Sequence, residues 1–164
     1  MKIKIMLDDG AIMPTRAHHA DAGLDLYTPR DVAVPSIIET VKSLIKMLAL
    51  LPAKQSYDYL VKPSEEVDTG VHVEIPFGFF GDIRSKSGLL FKDNIITDGT
   101  VDSGYTGSIQ VKLINLGIKP KIFKAGDKIA QMVIQRCELP ELVAVEEIAS
   151  TTERGDNGFG STGR

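Results

Sequence analysis

The sequence predicts an all-β, jelly-roll-like β-barrel or sandwich that carries one inserted helix. Short runs of alternating apolar and polar residues recur at 2–7, 71–75 and 109–113, and each run has one apolar face, as a half-buried strand does. Turn-forming residues separate the runs, and one segment, Ser36–Leu51, changes to helical spacing. At 164 residues the chain fits a single domain with a substantial core.

Turns and one central strand follow from the same pattern. Pro76-Phe77-Gly78, Asp98-Gly99 and Ala125-Gly126-Asp127 lie where we expect the strands to reverse. The run Lys128–Ile134 is apolar on both faces, which is typical of a strand in the middle of a sheet.

The helical segment has recognisable ends. Ser36 followed by Glu39 forms a capping box, and Pro52 supplies a stop. Two interpretations stay open: the helix packs against the sheets or a neighbouring subunit as structure, or its wide apolar stripe contacts a partner. Gln55–Glu66 is expected to be a polar connector back into the sheet.

Composition and charge exclude several functions. The net charge is −3, whereas general nucleic-acid binding needs a basic face. A single cysteine, Cys137, cannot form an internal disulfide, which fits a reducing cytoplasm. The chain opens without a basic and apolar leader, and its most apolar run, Leu44–Leu51, is too short to span a bilayer. We expect a cytoplasmic protein with neither a nucleic-acid nor a membrane partner.

Three polar clusters interrupt the strand pattern. Asp25 follows Gly23 in a predicted strand, as a turn residue or as a metal-facing carboxylate. Arg84-Ser85-Lys86-Ser87-Gly88 gathers two cations and two hydroxyls after a strand, which makes either an anion site or a solvated loop. Gln131 lies in an otherwise apolar strand, so its amide should bond to backbone or ligand. The three histidines, at 18, 19 and 72, lack metal-ligand spacing and read as ordinary surface or loop residues.

A fourth cluster, Gly99–Gly107, frames a carboxylate and a phenol with glycines. Asp102 and Tyr105 can combine acid-base chemistry with ring packing at one hairpin, although an Asx-turn formed by Asp102 is the competing explanation.

The last eleven residues, 154–164, combine four glycines with phosphate-pairing donors. Arg154, Ser161 and Thr162 supply the donors, and Phe159 suggests a lid that stacks on a flat ligand such as a nucleobase. A disordered polar tail is the alternative. We expect one β domain over 1–153, with 36–59 as a helical insertion and 154–164 as a flexible C-terminal arm.

Taken in chain order, these five clusters resemble the five motifs of the homotrimeric deoxyuridine triphosphate nucleotidohydrolases, the dUTPases. The resemblance runs from about Met1 to Arg164, with Ser36–Tyr59 as an insertion, and its most specific part is the ending Arg-Gly-x-x-Gly-Phe-Gly-Ser-Thr-Gly. It implies a jelly-roll homotrimer with three active sites at subunit interfaces. Each site would be built from motifs of different chains and closed by a glycine-rich arm.

The resemblance also implies the activity. Water would attack the α-phosphorus of dUTP in line and give dUMP and pyrophosphate. The reaction would supply dUMP and keep uracil out of DNA. Asp102 would be the general base, and Asp25 would face Mg²⁺ through its water shell. Magnesium bridging the triphosphate would provide the positive charge that a protein of net −3 lacks.

Substrate-binding roles follow from the same resemblance. Tyr105 would pack under the deoxyribose and exclude a ribose 2′-hydroxyl, and Phe159 would stack on uracil. The hairpin backbone around Asp98–Val101 would read the uracil edge, and Ser87 would hydrogen-bond the bridging or α/β phosphate oxygens. The full set of implied substrate-binding residues is Lys86, Ser87, Gly88, Gly99, Thr100, Val101, Tyr105, Gln131, Arg154, Phe159, Gly160, Ser161 and Thr162.

The chain departs from the family pattern in two places. Lys86 stands where the family commonly carries Arg, with Arg84 two residues earlier, so either cation could reach the phosphate. The helical insertion is also unusual and is a candidate site for a regulatory protein. Two alternatives remain: a dCTP deaminase or bifunctional deaminase and dUTPase of the same fold, and a regulatory interaction protein on a dUTPase scaffold.

Overall fold

The computed structural model describes residues 2–50 and 62–148, and for 47–50 it describes the backbone alone. These residues form two helices, α1 (Ile37–Leu50) and α2 (Ser87–Asp93), and eleven short strands. In chain order the strands are β1 (Lys4–Leu7), β2 (Gly23–Tyr27), β3 (Val32–Val34), β4 (Ser64–Asp68), β5 (Val71–Glu74), β6 (Phe79–Arg84), β7 (Ile95–Ile96), β8 (Asp98–Val101), β9 (Gln110–Asn115), β10 (Lys121–Phe123) and β11 (Lys128–Arg136). The predicted all-β, jelly-roll-like class is confirmed.

The strands pair antiparallel throughout the described part of the chain. The largest sheet has the order β2-β11-β6-β8, and a three-stranded sheet has the order β4-β9-β7. Two further pairs, β1 with β5 and β3 with β10, complete the framework. The apolar run 128–134 lies in β11, an inner strand of the largest sheet, as its two-sided apolar pattern predicts.

One apolar core lies between these sheets, and it receives alternate residues of the strands. Its most enclosed members are Leu26, Val34, Val67, Val71, Ile109, Val111, Leu113, Ile129 and Met132. Polar residues alternate with them, for example in β9, because neighbouring side chains of a strand point to opposite faces. This alternation confirms the period-2 reading.

Two of the three predicted turns are confirmed, and one prediction is wrong. Gly78 and Gly126 both adopt positive φ, at 79° and 89°, a backbone conformation that side chains disfavour. Asp98-Gly99 forms no reversal, because both residues belong to β8. The chain instead passes at Thr97 from β7 of the three-stranded sheet into β8 of the four-stranded sheet.

Helix α1 forms as the capping box predicts. The Ser36 amide donates to the Glu39 carboxylate at 2.8 Å, and the Glu39 amide donates to the Ser36 hydroxyl at 3.2 Å. Apolar side chains remain on its surface: Val41 is 47% exposed and Ile45 is 61% exposed. The helix therefore leaves much of its apolar stripe uncovered by the described residues. None of the described helices is long and apolar enough to cross a membrane.

Two segments differ from expectation. Helix α2 was not predicted, because its seven residues are too few to display helical periodicity and include Gly88. It ends at Asn94, whose positive φ of 56° forms a left-handed cap. The polar connector is shorter than predicted, because Ser64 already begins β4, while its residues 55–61 lie outside the described part.

Candidate active site

The four-stranded sheet brings the separated polar clusters together. Its register sets Asp25 of β2 opposite Gln131 of β11, Gln131 opposite Arg84 of β6, and Arg84 opposite Asp98 of β8. Residues directly opposite each other in neighbouring strands share a sheet face. Three clusters that are far apart along the chain therefore meet in one row across the sheet, and the row ends at Asp98, the residue before the fourth cluster.

Asp25 is the buried charge of this row. It is 4% exposed, and its carboxylate is paired with the ammonium of Lys86 at one oxygen and with that of Lys128 at the other, the latter at 2.7 Å. Burial acts to raise the pKa of Asp25, but the hydrogen bonds from Lys128 and Lys86 outweigh it and hold that pKa below its ordinary value. Two ammonium groups share one carboxylate, so the cluster carries an excess positive charge that suits an anion.

Lys128 is a candidate site residue that the sequence analysis missed. Its ammonium lies 5.9 Å from the centroid of the Tyr27 ring, and its hydrogen bond with Asp25 raises its pKa above the ordinary value. The sequence did contain a signal for Lys128. This cation lies between the Gly126-Asp127 turn and Gln131, at the start of the strand that carries a predicted site residue. Its pairing with Asp25 requires the β2–β11 register, which only the tertiary structure supplies.

The two cations of the second cluster have different partners. Arg84 donates through Nε to the Asp82 carboxylate at 2.6 Å, and Gln135 donates to the same oxygen. Lys86 is directed instead to Asp25. Lys86 therefore belongs to the positively charged cluster around Asp25, whereas the charge of Arg84 is neutralised by Asp82.

Gln131 finds the partner that a half-buried amide requires. Its side-chain nitrogen donates to the Ser85 carbonyl at 3.1 Å, which confirms the expected backbone bond. A Cβ at Gly23 would lie 3.2 Å from Gln131 Cδ, so the glycine leaves room for this side chain. The Ser85 hydroxyl in turn accepts the Thr97 amide at 2.8 Å and joins the second cluster to the start of β8.

Ser87 and Gly88 open helix α2 next to Lys86, and both are exposed. Their position beside the lysine fits the predicted anion-binding role. Of the predicted substrate-binding residues, Arg154, Phe159, Gly160, Ser161 and Thr162 lie outside the described residues.

A pocket of about 190 Å³ gathers the fourth cluster. Its lining is Ile83, Gly99, Thr100, Val101, Asp102, Tyr105, Ile109 and Gln110. The structure thus brings five predicted site residues to one cavity. Strand β8 is an edge of its sheet, and an edge strand offers unpaired backbone donors and acceptors to a ligand.

The loop beside this pocket leaves its carboxylate free. The Tyr105 amide donates to the Asp102 carbonyl at 3.2 Å, and the Tyr105 hydroxyl donates to the Ser108 carbonyl at 3.0 Å. The Asp102 carboxylate makes no hydrogen bond or ion pair with any described residue. The competing explanation, an Asx-turn formed by Asp102, is therefore wrong. An exposed carboxylate at a pocket can bind and orient water.

The donor set fits magnesium only in the company of a phosphate ligand. Across residues 2–50 and 62–148, no group of three or more His, Cys, Asp or Glu could hold a metal. Magnesium is usually bound by one or two carboxylates together with substrate phosphates and water. The buried Asp25 carboxylate could supply one such ligand, and Lys86 and Lys128, which pair with both of its oxygens, would then turn to the phosphates.

A family model and several known proteins match this chain over most of its length. A family model described as dUTPase matches residues 51–163. The deoxyuridine 5'-triphosphate nucleotidohydrolase of Mycobacterium leprae is 39% identical over 167 residues, covering 97% of this chain and 92% of the relative. Its counterpart in Mycobacterium tuberculosis is 38% identical with the same coverage.

Solved structures share the fold. The dUTPase of Staphylococcus bacteriophage 80alpha with dUpNHpp has a TM-score of 0.77 and 26% identity, covering 99% of each chain. A variant dUTPase of the Staphylococcus aureus phage phi11, described for its coordination of a structural Mg(II) ion, has a TM-score of 0.68 and 25% identity, covering 92% of this chain and all of that one. Because the family model spans most of the chain and the relatives match nearly all of it, this protein belongs to the dUTPase family.

Proposed function

We propose that this protein hydrolyses dUTP to dUMP and pyrophosphate, with Asp102 as the general base. The observation that carries this assignment is the unpaired Asp102 carboxylate in a pocket shared with Tyr105 and the edge strand β8. The attacking water oxygen forms a bond to the α-phosphorus, and its proton goes to Asp102. The bond from the α-phosphorus to the bridging oxygen breaks, and pyrophosphate leaves with the electron pair.

Nucleoside recognition would use the pocket walls. The edge backbone of Gly99, Thr100 and Val101 is available to hydrogen-bond the uracil. The Tyr105 ring, held by its hydroxyl bond to the Ser108 carbonyl, would lie under the deoxyribose and leave no room for a 2′-hydroxyl. Deoxyribose selection is therefore steric.

The triphosphate would lie against the lysine cluster. Lys86, with Ser87 and Gly88 beside it, and Lys128 would supply charge and donors to the phosphate oxygens. Gln131 would donate to a phosphate oxygen through the amide N–H that Ser85 leaves free.

Asp25 would hold the magnesium through water, together with the phosphates. When bound, the ion neutralises phosphate charge during the displacement. Lys86 and Lys128 keep Asp25 ionised until that complex forms, because both donate to its carboxylate.

The C-terminal arm would complete the site. Arg154, Ser161 and Thr162 would hold the γ-phosphate, and Phe159 would stack on uracil with Gly160 beside it. Ordering such a glycine-rich segment costs conformational entropy, so we expect closure only when base and triphosphate are both bound.

We also propose a cytoplasmic homotrimer. The segment that leads to the arm carries apolar side chains in water: Leu142 is 91% exposed and Ile148 is 87% exposed. Exposed apolar surface of this kind favours burial against another copy of the chain. Light scattering should give three times the chain mass of 17.8 kDa, and a monomer would contradict the assembly.

The inserted helix supports a second role, binding of a regulatory protein. Its apolar residues Ile37, Ile38, Val41 and Ile45 are 39% to 61% exposed, although none of them lines the pocket beside Asp102. Replacing residues 36–59 with a short linker should leave dUTP turnover intact and abolish partner binding. Loss of turnover would assign the insertion to the enzyme instead.

Substitution of the base tests the central proposal. Asp102→Asn should lower kcat for dUTP by about 10² to 10⁴-fold while the nucleotide still binds, because an amide cannot accept the proton. Asp9→Asn, the same change at an exposed carboxylate, is the matched control. Turnover should be measured with dUTP, dCTP, dTTP and UTP in magnesium, with pyrophosphate and ammonia both quantified. Unchanged turnover in Asp102→Asn would contradict the assignment of Asp102 as the base. Release of ammonia from dCTP would instead support the alternative of a dCTP deaminase.

A further inference from the structure

The loop that carries the proposed base is anchored along one side. At its start, the Ser103 hydroxyl donates to the Ile75 carbonyl at 3.1 Å. At its end, the Ser108 hydroxyl donates to the Asp68 carboxylate. Asp68 ends β4 and Ile75 directly follows β5, so these two strands support the loop Asp102–Ser108.

A third anchor holds the middle of the loop, and it is His72. The prediction of an ordinary surface or loop residue is wrong here, because His72 lies in β5 and its side chain is 18% exposed. His72 of β5 places its Nδ1 atom 2.8 Å from the Thr106 carbonyl, one residue beyond Tyr105. Its Nε2 atom lies 3.2 Å from a carboxylate oxygen of Asp8. Both of the ring nitrogens therefore have a partner.

Both ring nitrogens of His72 face acceptors. A carbonyl oxygen can only accept a hydrogen bond, so Nδ1 must carry a proton to bond Thr106. In the neutral ring Nε2 would then be an acceptor, and it could not hydrogen-bond the Asp8 oxygen, which is also an acceptor. Only the imidazolium donates from both nitrogens, and it therefore satisfies both contacts at once.

The surrounding charges favour that form. The bond to the Thr106 carbonyl, followed by the bond to Asp8, raises the pKa of His72 above its ordinary value of 6.5, and the charge of Asp68 acts in the same direction. The other two charged groups beside the ring, Lys4 and Glu74, are paired with each other at 2.9 Å. The nearby carboxylates are thus the charges that act on the ring.

We infer that His72 is a positioning residue, which as an imidazolium holds the Thr106 carbonyl and so fixes the loop that presents Tyr105 and Asp102. Its consequence for catalysis rests on the proposed function, while its consequence for the loop does not. Because the folded-state pKa is raised, the anchor is complete below pH 6.5 and weakens as the pH rises through the raised value. Deoxyribose selection should weaken in the same range.

Two variants separate the two ring contacts. His72→Asn keeps a donor near the Nδ1 position and loses the contact with Asp8, whereas His72→Gln keeps a group near the Nε2 position and loses the bond to Thr106. The first readout is hydrogen exchange of peptides covering residues 102–109 between pH 5.5 and 8.5, corrected for intrinsic exchange. The second is the ratio of kcat/KM for dUTP to that for UTP over the same range.

We expect the wild-type loop to exchange faster as the pH rises. His72→Gln should exchange about tenfold faster at pH 6, with a selectivity ratio lowered by a similar factor, as for one lost charge-assisted hydrogen bond. His72→Asn should stay near the wild-type value at pH 6 and lose the pH dependence. Equal exchange and pH profiles in all three proteins would overturn the role of His72. If the wild type did not hydrolyse dUTP, the proposed function would be overturned instead. The exchange data would still show whether His72 holds the loop.

Discussion

Gly107 sets the position of the Tyr105 ring, and its replacement is the sharpest test of deoxyribose selection. A Cβ built at Gly107 would lie 2.6 Å from Tyr105 Cζ and 3.0 Å from Cε2. The backbone of Gly107 has no positive φ, so alanine can adopt it without strain. We therefore expect Gly107→Ala to act through Tyr105, whose atoms are the nearest to the added Cβ.

The size of the effect follows from those distances. Ordinary contacts begin near 3.4 Å, so the ring must retreat by about 1 Å, and its hydroxyl then loses the 3.0 Å bond to the Ser108 carbonyl. A misplacement of about 1 Å in a positioning group costs roughly 10²-fold in rate. We expect kcat/KM for dUTP to fall by about that factor, with a smaller loss for UTP because the ring no longer excludes the 2′-hydroxyl.

Steady-state kinetics with both nucleotides measures this change. The control is a double-mutant cycle, since Gly107→Ala should have no further effect once Tyr105→Ala has removed the ring. A wild-type ratio of dUTP to UTP activity in Gly107→Ala would refute the steric argument. An equal loss in the Tyr105→Ala background would show that the alanine acts on something other than the ring.

Three further predictions follow from the site and the core. Lys128→Gln should raise KM for dUTP about tenfold, as for the loss of a charge-assisted hydrogen bond, and should reduce its salt dependence, while Lys128→Arg retains most of the affinity; an unchanged KM in the glutamine variant would remove Lys128 from the phosphate site. Truncation before Arg154 should abolish most turnover and leave the circular dichroism spectrum and melting temperature unchanged, and full activity of the shortened chain would end the role of the arm. Leu113→Ala, at a fully buried core position, should lower the free energy of unfolding by about 2 to 5 kcal/mol in urea titrations. Ile118→Ala, at a position 70% exposed, should change it by less than about 0.5 kcal/mol, and equal losses would contradict the core assignment.

The fold class could be predicted from local sequence patterns. Strand alternation depends on the direction of successive side chains, and the capping box of α1 closes within four residues, so both are visible without tertiary information. The turn predicted at Asp98-Gly99 failed because the same residue types that favour turns also suit an edge strand where the chain changes sheets. Helix α2 was missed because seven residues give too little periodicity.

The chemistry of the site was also readable in part. Asp25, Asp102, Tyr105 and Gln131 stand out as polar residues among glycines or within apolar strands, and the structure brings Asp102 and Tyr105 to one pocket. A polar residue in such a position needs a ligand or a partner, which is a property of its local sequence. The sequence could therefore indicate candidate reacting groups, although not their neighbours in space.

The sequence by itself determined the strands, the inserted helix, the family and the types of group available for phosphate and base chemistry. Only the tertiary structure decided that Asp25 pairs with Lys86 and Lys128, and that His72 holds the loop beyond Tyr105. The reason is that periodicity reports on contacts between near neighbours in the chain. Pairings between residues 34, 61 or 103 positions apart depend on strand order and register, which the packing of the whole core selects.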